Sequence, residues 1–597
     1  MKSKKKQVDN SNLWLAIPIA LIAGLIPLIV RLNEHVLPKD VASIWGERDF
    51  DLFSYNKAMY IIGLTVVLII CFLIKLSSNS KIKFQPIFYP IFAYSLLVIM
   101  SVPFSEHATI AVGGFPSRYE GMLVLVSYVT IMFITANIVV EEKQIKLIWG
   151  AIFVSSCIIG IVGVFQYFGL DFFRSGFARY IMLPVKYLDL DLHFNFGKNT
   201  IYATLFNTNN VGSYAAMLFP ISLCFYIFIS RKNYRIFFGL LSCIMFMVWI
   251  GCQSLTGYIG GVVALILMAV FWGKKIIMEY KYVLPVVGAY IVLLLVMNYF
   301  GYGALSQNAS KVNGPVGQDA LIDVKQEKPY ELTIVTRKTQ LKAVYDKSEL
   351  SFLDKNNKVL DLKKRTDDKN LDEMKLVIND DTYSGYDVKL NKKKNNLQIV
   401  KSNVIFDLAL TDKGIWFMDK GRAVPQPKIE MVDVKGMEAF GSGRFYIWSR
   451  AIPLMKKTLL IGNGPDTFPF FFPQDDYIGK LKGLLNQKIL VDKPHNMYLS
   501  MGINTGVLSL LAFIVFVLMY YVTTIRFLWE REIDNLWLIS SASILTAVTG
   551  YLFAAIGNDS IVSVAPIFWV LIGVGIAINM TYTEIEKKVL KNKFARR

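Results

Sequence analysis

The chain has 597 residues, of which 54% are hydrophobic and only 18% charged, and 64 Lys and Arg against 45 Asp and Glu give a net charge of +19. A soluble globular protein carries about 25% charged residues, and the mean hydropathy here is +0.43. These values exclude a single soluble domain and a disordered chain. The basic excess is read as Lys and Arg on the cytoplasmic loops of a membrane protein, not as a nucleic-acid surface.

The chain begins with a basic tail, Lys2, Lys4, Lys5 and Lys6, and then enters the first of about twelve apolar runs. A bilayer span needs about 20 mostly apolar residues. Such runs start near Leu13, Ala58, Ile87, Met122, Leu147, Val211, Ile236, Ile259, Tyr282, Asn504, Leu536 and Ile561. The first is too long and too interrupted by proline for a signal peptide, and no cleavage-site pattern follows it. Every second connection is basic: Lys75/Lys81/Lys83, Lys143/Lys146, Arg231/Lys232/Arg235, Lys274/Lys275/Lys281, Arg526/Arg531 and the tail from Lys587 to Arg597. With twelve spans these fall on one side, so both termini are expected in the cytoplasm. An odd count would break the alternation. The fold class expected is therefore an α-helical polytopic membrane protein of about 12 transmembrane helices, with an inserted β-rich extracytoplasmic domain.

Four parts divide the chain: 1–300 with nine helices, 301–440 as the insert, 441–503 as an outer-face segment, and 504–597 with three helices and a basic tail. The insert has short alternating runs, Tyr330–Thr336, Met374–Asn379, Leu397–Val400 and Val404–Leu410, between Asn, Asp, Lys and Gly clusters. This pattern predicts a small β-sandwich. It is nearly neutral and has no His or Cys, which favours a binding or spacer role over catalysis. The five cysteines, Cys71, Cys157, Cys224, Cys243 and Cys252, lie in or beside apolar runs without a CxxC pair, so neither a disulfide framework nor a zinc site is expected. The histidines, His35, His107, His193 and His495, lie in polar stretches assigned to the outer side.

The apolar runs hold almost no ionisable residues at mid-depth, which speaks against an ion-coupled transporter. No GxxxxGK[ST] motif is present, which speaks against ATP-driven transport. Polar chemistry is expected at the outer helix ends. There, residues 441–506 collect Arg444 and Arg450 around Phe445, Tyr446 and Trp448, then Gly462, Gly464 and Asp466, then His495, Asn496 and Tyr498. Arginine offers a planar fork of donors to diphosphate oxygens, and Arg118 on a separate loop supplies a second. A histidine titrating near neutrality suits proton removal, while Asn496 and Tyr498 could orient a sugar. Each residue alone has a plainer use: arginine and tyrosine anchor at headgroups, a histidine at a helix start caps or packs, and GxG without a strand–turn–helix unit is a weak phosphate signal.

Together, Gly443-Arg444, Trp448, Ile461-Gly462-Asn463-Gly464-Pro465-Asp466-x-Phe468 and His495-Asn496-x-Tyr498-Leu499 with Gly506 resemble the signature of the O-antigen ligase/polymerase family. Phe115–Gly121 around Arg118 resembles that family's R-Y-x-G loop. Phe206–Gly212 with Pro220 resembles its N-x-N segment, and Ser563–Trp569 its C-terminal motif. The resemblance covers roughly residues 100–300 and 436–580. It implies a glycosyltransferase that moves a glycan from an undecaprenyl-diphosphate-linked donor to an acceptor hydroxyl at the outer face of the cell membrane, without metal or cofactor. The acceptor it implies is a glycan, wall polymer, lipid or protein. By the same resemblance His495, Arg444 and Arg118 are the catalytic candidates, and Asn496, Tyr498, Arg450, Asn207 and Asp466 the substrate-binding ones. One departure is Ser254-Leu255-Thr256-Gly257, where many relatives carry S-R-G, so Thr256 stands where an arginine is expected. Two rivals are a polysaccharide exporter or flippase, which predicts charged residues lining a central cavity, and a non-catalytic membrane protein that binds wall glycans.

Overall fold

A computed structural model describes residues 12–78, 81–190, 194, 196–301, 303, 319–364, 373–391, 393–434, 436–529 and 531–594. The basic N-terminal tail and His193 lie outside these. The chain divides into two compact units: residues 1–306, 458–467 and 495–597 form the first, and 307–457 with 468–494 the second.

The first unit is helical. Among its described residues, nine helices are long and apolar enough to cross a membrane: Tyr55–Ser77, Glu142–Tyr167, Thr208–Phe228, Lys232–Gly251, Leu255–Met278, Tyr280–Phe300, Val507–Trp529, Leu536–Ala554 and Ala565–Val589. Three shorter apolar helices, Asn12–Leu28, Phe88–Ser101 and Met122–Ile138, occupy the remaining expected runs. A backbone in hydrocarbon must satisfy its own hydrogen bonds, and a helix does so within one segment. Polar caps mark several starts. Asn207, Ser254, Asn496 and Asn535 each accept a backbone N–H of the turn that follows, and Glu141 with Gln144 forms a capping box. Thr208–Phe228 and Leu536–Ala554 are 94% and 89% buried, so they form the centre, whereas Tyr280–Phe300 at 17% lies at the periphery. A lysine is also drawn into this core. Lys57, fully buried at the start of Tyr55–Ser77, donates to the Thr204 carbonyl at 2.6 Å and the Ser563 hydroxyl at 3.0 Å. It pins three distant parts of the chain together.

A small two-stranded sheet, β1 (Asn33–Val36) and β2 (Arg48–Asp51), sits between the first two apolar helices. All five cysteines are unpaired.

The second unit is β-rich. β3 (Leu321–Lys325), β4 (Glu331–Thr336), β5 (Gln340–Asp346) and β6 (Glu349–Leu353) form one antiparallel sheet in chain order. The other sheet, also in chain order, comprises β7 (Leu362–Lys364), β8 (Glu373–Ile378), β9 (Tyr386–Asn391), β10 (Asn396–Lys401), β11 (Val404–Thr411), β12 (Gly414–Asp419) and β13 (Arg422–Val424). Leu332, Ile334, Leu341 and Phe352 of the first share one apolar core with Val388, Ile399, Phe406 and Phe417 of the second. This is the alternation expected of a sandwich. The core recruits residues from beyond 440: Tyr477 stacks on Phe417 at 5.2 Å, and Leu481 is fully buried beside it. The segment 441–503, expected as one piece, is thus shared. Residues 458–467 and 495–503 belong to the helical unit and the rest to the β-rich one.

Candidate functional site

The helical unit gathers Arg118, Asp466, His495 and Asp559 from loops far apart in sequence. Arg118 follows the third apolar helix, and its side chain is only 5% exposed. Its Nε lies 2.6 Å from Asp466 Oδ1, and Asp466 Oδ2 accepts the Phe115 N–H at 2.6 Å. Burial pushes the Asp466 carboxyl up, and the Arg118 guanidinium and the Phe115 N–H pull it back. The glycines before Asp466 serve geometry. A Cβ on Gly462 would stand 2.3 Å from the Asn504 carbonyl, and Gly464, at φ +104°, lies against Ser105 and Ala111. The Gly464 N–H donates to the Asn504 carbonyl at 2.8 Å. The turn read as a possible phosphate loop therefore packs backbone to backbone and delivers Asp466 to Arg118.

His495 Nδ1 lies 3.4 Å from Asp559 Oδ2. Asp559 belongs to the loop between Leu536–Ala554 and Ala565–Phe594, and its other oxygen accepts the Asn496 N–H at 3.2 Å. With Nδ1 turned to a carboxylate, Nε2 is the nitrogen available as a base.

Between these two pairs is a small cavity of about 50 Å³, lined by Arg118, Glu120, Asp466, Asp559 and Ser560 together with the rings of Tyr94, Tyr128, Tyr551 and Trp569. Glu120 is buried. It accepts the Tyr128 hydroxyl at 2.7 Å and the Ser560 hydroxyl at 3.0 Å. Burial, with Asp466 adding to it, pushes its pKa up to about 8 against the pull of those two hydroxyls and of Arg118. Ser117, Tyr119, Asp466 and His495 all hold left-handed backbone, at φ +68°, +55°, +63° and +50°. Such strain in non-glycine residues persists only where the surroundings over-determine it, and it clusters at functional sites.

The remaining candidates are tied into the fold. The Asn496 carboxamide oxygen caps Met497–Asn504, accepting the Tyr498 and Leu499 N–H groups at 3.0 Å each. The Tyr498 hydroxyl donates to the Leu552 carbonyl at 2.8 Å. Asn207 caps Thr208–Phe228 through the Asn209 N–H at 2.8 Å. Thr256 donates to Asn558 Oδ1 at 2.8 Å, and Asn558 donates in turn to the Asn209 carbonyl and Ser213. A neutral network next to Asp559 thus occupies the place where an arginine is expected.

Arg444 and Arg450 lie in the β-rich unit, apart from Arg118 and His495 in the division of the chain. Arg444 opens the helix Arg444–Leu454 and donates to the Gly441 carbonyl at 3.0 Å. Arg450 is buried, with Nε 2.9 Å from Asp476 Oδ2 and its guanidinium 4.6 Å from the centre of the Tyr446 ring. Of the other histidines, His107 pairs with Asp40 at 2.8 Å, and His35 Nε2 lies 3.1 Å from the Tyr119 hydroxyl. No group of three or more His, Cys, Asp or Glu side chains able to hold a metal ion occurs among the described residues.

Glu120, Asp559 and Lys57 escaped the sequence reading, although each is a charged residue bordering an apolar run. Comparison with known protein families, curated proteins and solved structures finds no match to this chain.

Proposed function

We propose that this chain is a lipid-carrier-dependent glycosyltransferase of the O-antigen ligase/polymerase type, working at the outer face of a cell membrane. In this reading all twelve apolar helices span, both termini are cytoplasmic and the β-rich unit is extracytoplasmic. Arg118, Asp466, His495 and Asp559 follow the third, ninth and eleventh helices, and odd-numbered spans that start inside all end outside. The observation that carries the reading is the cavity that joins a buried Arg118–Asp466 pair to the carboxylate on which His495 rests.

The chemistry follows from those groups. The diphosphate of an undecaprenyl-diphosphate-linked glycan meets Arg118, held rigid by Asp466. His495 Nε2 takes the proton of the acceptor hydroxyl, and Asp559 stabilises the imidazolium that results. The acceptor oxygen attacks the anomeric carbon from the face opposite the diphosphate, and the configuration inverts. The C–O bond breaks with its electron pair passing to the diphosphate, where arginine offsets the growing charge. The leaving group is already a good one and needs no general acid. Asn496, Tyr498 and Asn207 act by holding the loops, since their hydrogen bonds are made within the fold. Arg450 supports the helix that begins at Arg444.

The length of glycans on the lipid carrier, compared between membranes with and without the protein, tests the reading. A polymerase lengthens them and a ligase depletes them. An unchanged distribution sinks both.

A further inference from the structure

The β-rich unit carries a cleft of its own. One face of the seven-stranded sheet is spent on the core, where Val388, Leu397, Ile399, Phe406 and Phe417 point inward. The opposite face follows by alternation. On it Lys389 of β9 stands opposite Gln398 of β10, and Gln398 stands opposite Asp407 of β11. In the neighbouring row Asn391 faces Asn396. Lys375 of β8 lies directly opposite Lys389 and extends the positive edge. The rim is added by turns: Lys394 between β9 and β10, Lys420 between β12 and β13, and Lys488 from the returning segment.

This convergence is built by buried groups. Gln487, 2% exposed, donates to the main-chain oxygens of Asp407 at 3.0 Å and Met418 at 3.3 Å, and accepts the Asp407 N–H at 3.0 Å. It bridges β11 and β12 and sets the next residue, Lys488, on the rim. Asp407 in the floor accepts Gln398 Nε2 at 2.7 Å and pairs with Lys488. The open cleft has a volume of about 580 Å³, within the roughly 300–1,000 Å³ of ligand pockets.

We propose that this cleft binds an acidic glycan, a polyhydroxylated chain with carboxylate or phosphate groups at intervals. Lys389, Lys394, Lys420 and Lys488 supply donors to the anionic groups, and the amides of Asn391, Asn396 and Gln398 with the carboxylates of Asp407 and Asp419 match sugar hydroxyls. Four cations against two anions favour an acidic polymer over a neutral one. The two carboxylates, and the lack of any aromatic ring among the described lining residues, disfavour nucleic acid, whose single strands are held on aromatic platforms. The inference concerns binding by the β-rich unit and stands whether or not the helical unit transfers sugars.

The test uses the full-length protein in lipid nanodiscs and four fluorescent probes: polygalacturonate, poly(glycerol phosphate), neutral dextran, and a single-stranded oligonucleotide of matched charge. Binding of polygalacturonate or poly(glycerol phosphate), weakened by salt and absent for dextran, is expected, and which of the two binds identifies the anionic group. Lys389→Gln, Lys394→Gln and Lys488→Gln combined should weaken binding roughly tenfold or more. A control with Lys325→Gln, Lys328→Gln and Lys347→Gln, on the other sheet and its turns, should bind as wild type. Equal loss in both triple variants, unchanged binding in the cleft variant, oligonucleotide binding as tight as the glycans, or no binding of either acidic glycan would each overturn the proposal.

Discussion

Substituting Glu120 by Gln isolates the electrostatics of the cavity. Glutamine has nearly the same shape and can still accept the Tyr128 and Ser560 hydroxyls, but it does not titrate. Glu120 is held at about 8 against an ordinary value of 4.5. Because the folded value is the higher one, the stability it contributes is complete below about pH 4.5 and is lost as pH rises toward 8. Linkage then gives a loss of roughly 2 kcal/mol from this group between about pH 5.5 and 7. The other titrating groups are common to both proteins and cancel in the difference. Unfolding by heat or denaturant in nanodiscs at those two pH values measures it. Wild type should lose about 2 kcal/mol more than Glu120→Gln over that interval. Equal losses would mean that Glu120 ionises normally and that its burial beside Asp466 does not hold it protonated.

Asp559→Asn should keep the protein folded but slow transfer by roughly 100-fold or more, and should alter the pH–rate profile, because His495 loses the carboxylate that orients it. Arg118→Lys should abolish most turnover in a transfer assay although charge is retained, since lysine cannot present a planar fork to both Asp466 and a diphosphate. Arg450→Leu should act on stability instead, by about 3–5 kcal/mol in denaturant unfolding, because it strands buried Asp476. Lys57→Met should cost about 1–3 kcal/mol by leaving the Thr204 carbonyl and Ser563 hydroxyl unpartnered, which a lowered midpoint in thermal unfolding would reveal.

The apolar helices were legible because a membrane-spanning segment is specified by composition alone. The strands of the insert were legible because alternation survives in a sandwich. Its extent was not. Tyr477 and Leu481 return to the β core from beyond a stretch that belongs to the helical unit, and no local pattern announces such a return. The 301–440 segment taken alone would therefore lack Tyr477 and Leu481, two side chains that complete its core. Within the candidate site, Arg118, Asp466 and His495 were found from residue type and motif. Spacing alone does not distinguish a capping carboxamide from a ligand-binding one, and the Asn496 side-chain oxygen caps its helix. Lys57 was missed because its run was counted from Ala58, whereas the helix begins at Tyr55. Glu120 beside Arg118, and Asp559 alone in its loop, carry no pattern of their own and become significant only once the loops meet.

The central claim is that His495, oriented by Asp559, activates an acceptor against a diphosphate held by Arg118. The most direct measurement is release of undecaprenyl diphosphate from a lipid-linked glycan donor by the purified protein in liposomes, in the presence of acceptor, for wild type and His495→Ala at neutral pH. Wild type should release it in step with glycan transfer, and the alanine variant should release none above background while remaining intact in the membrane. Release by His495→Ala at the wild-type rate, or no release by wild type with either a lipid-linked glycan or a wall polymer as acceptor, would contradict it.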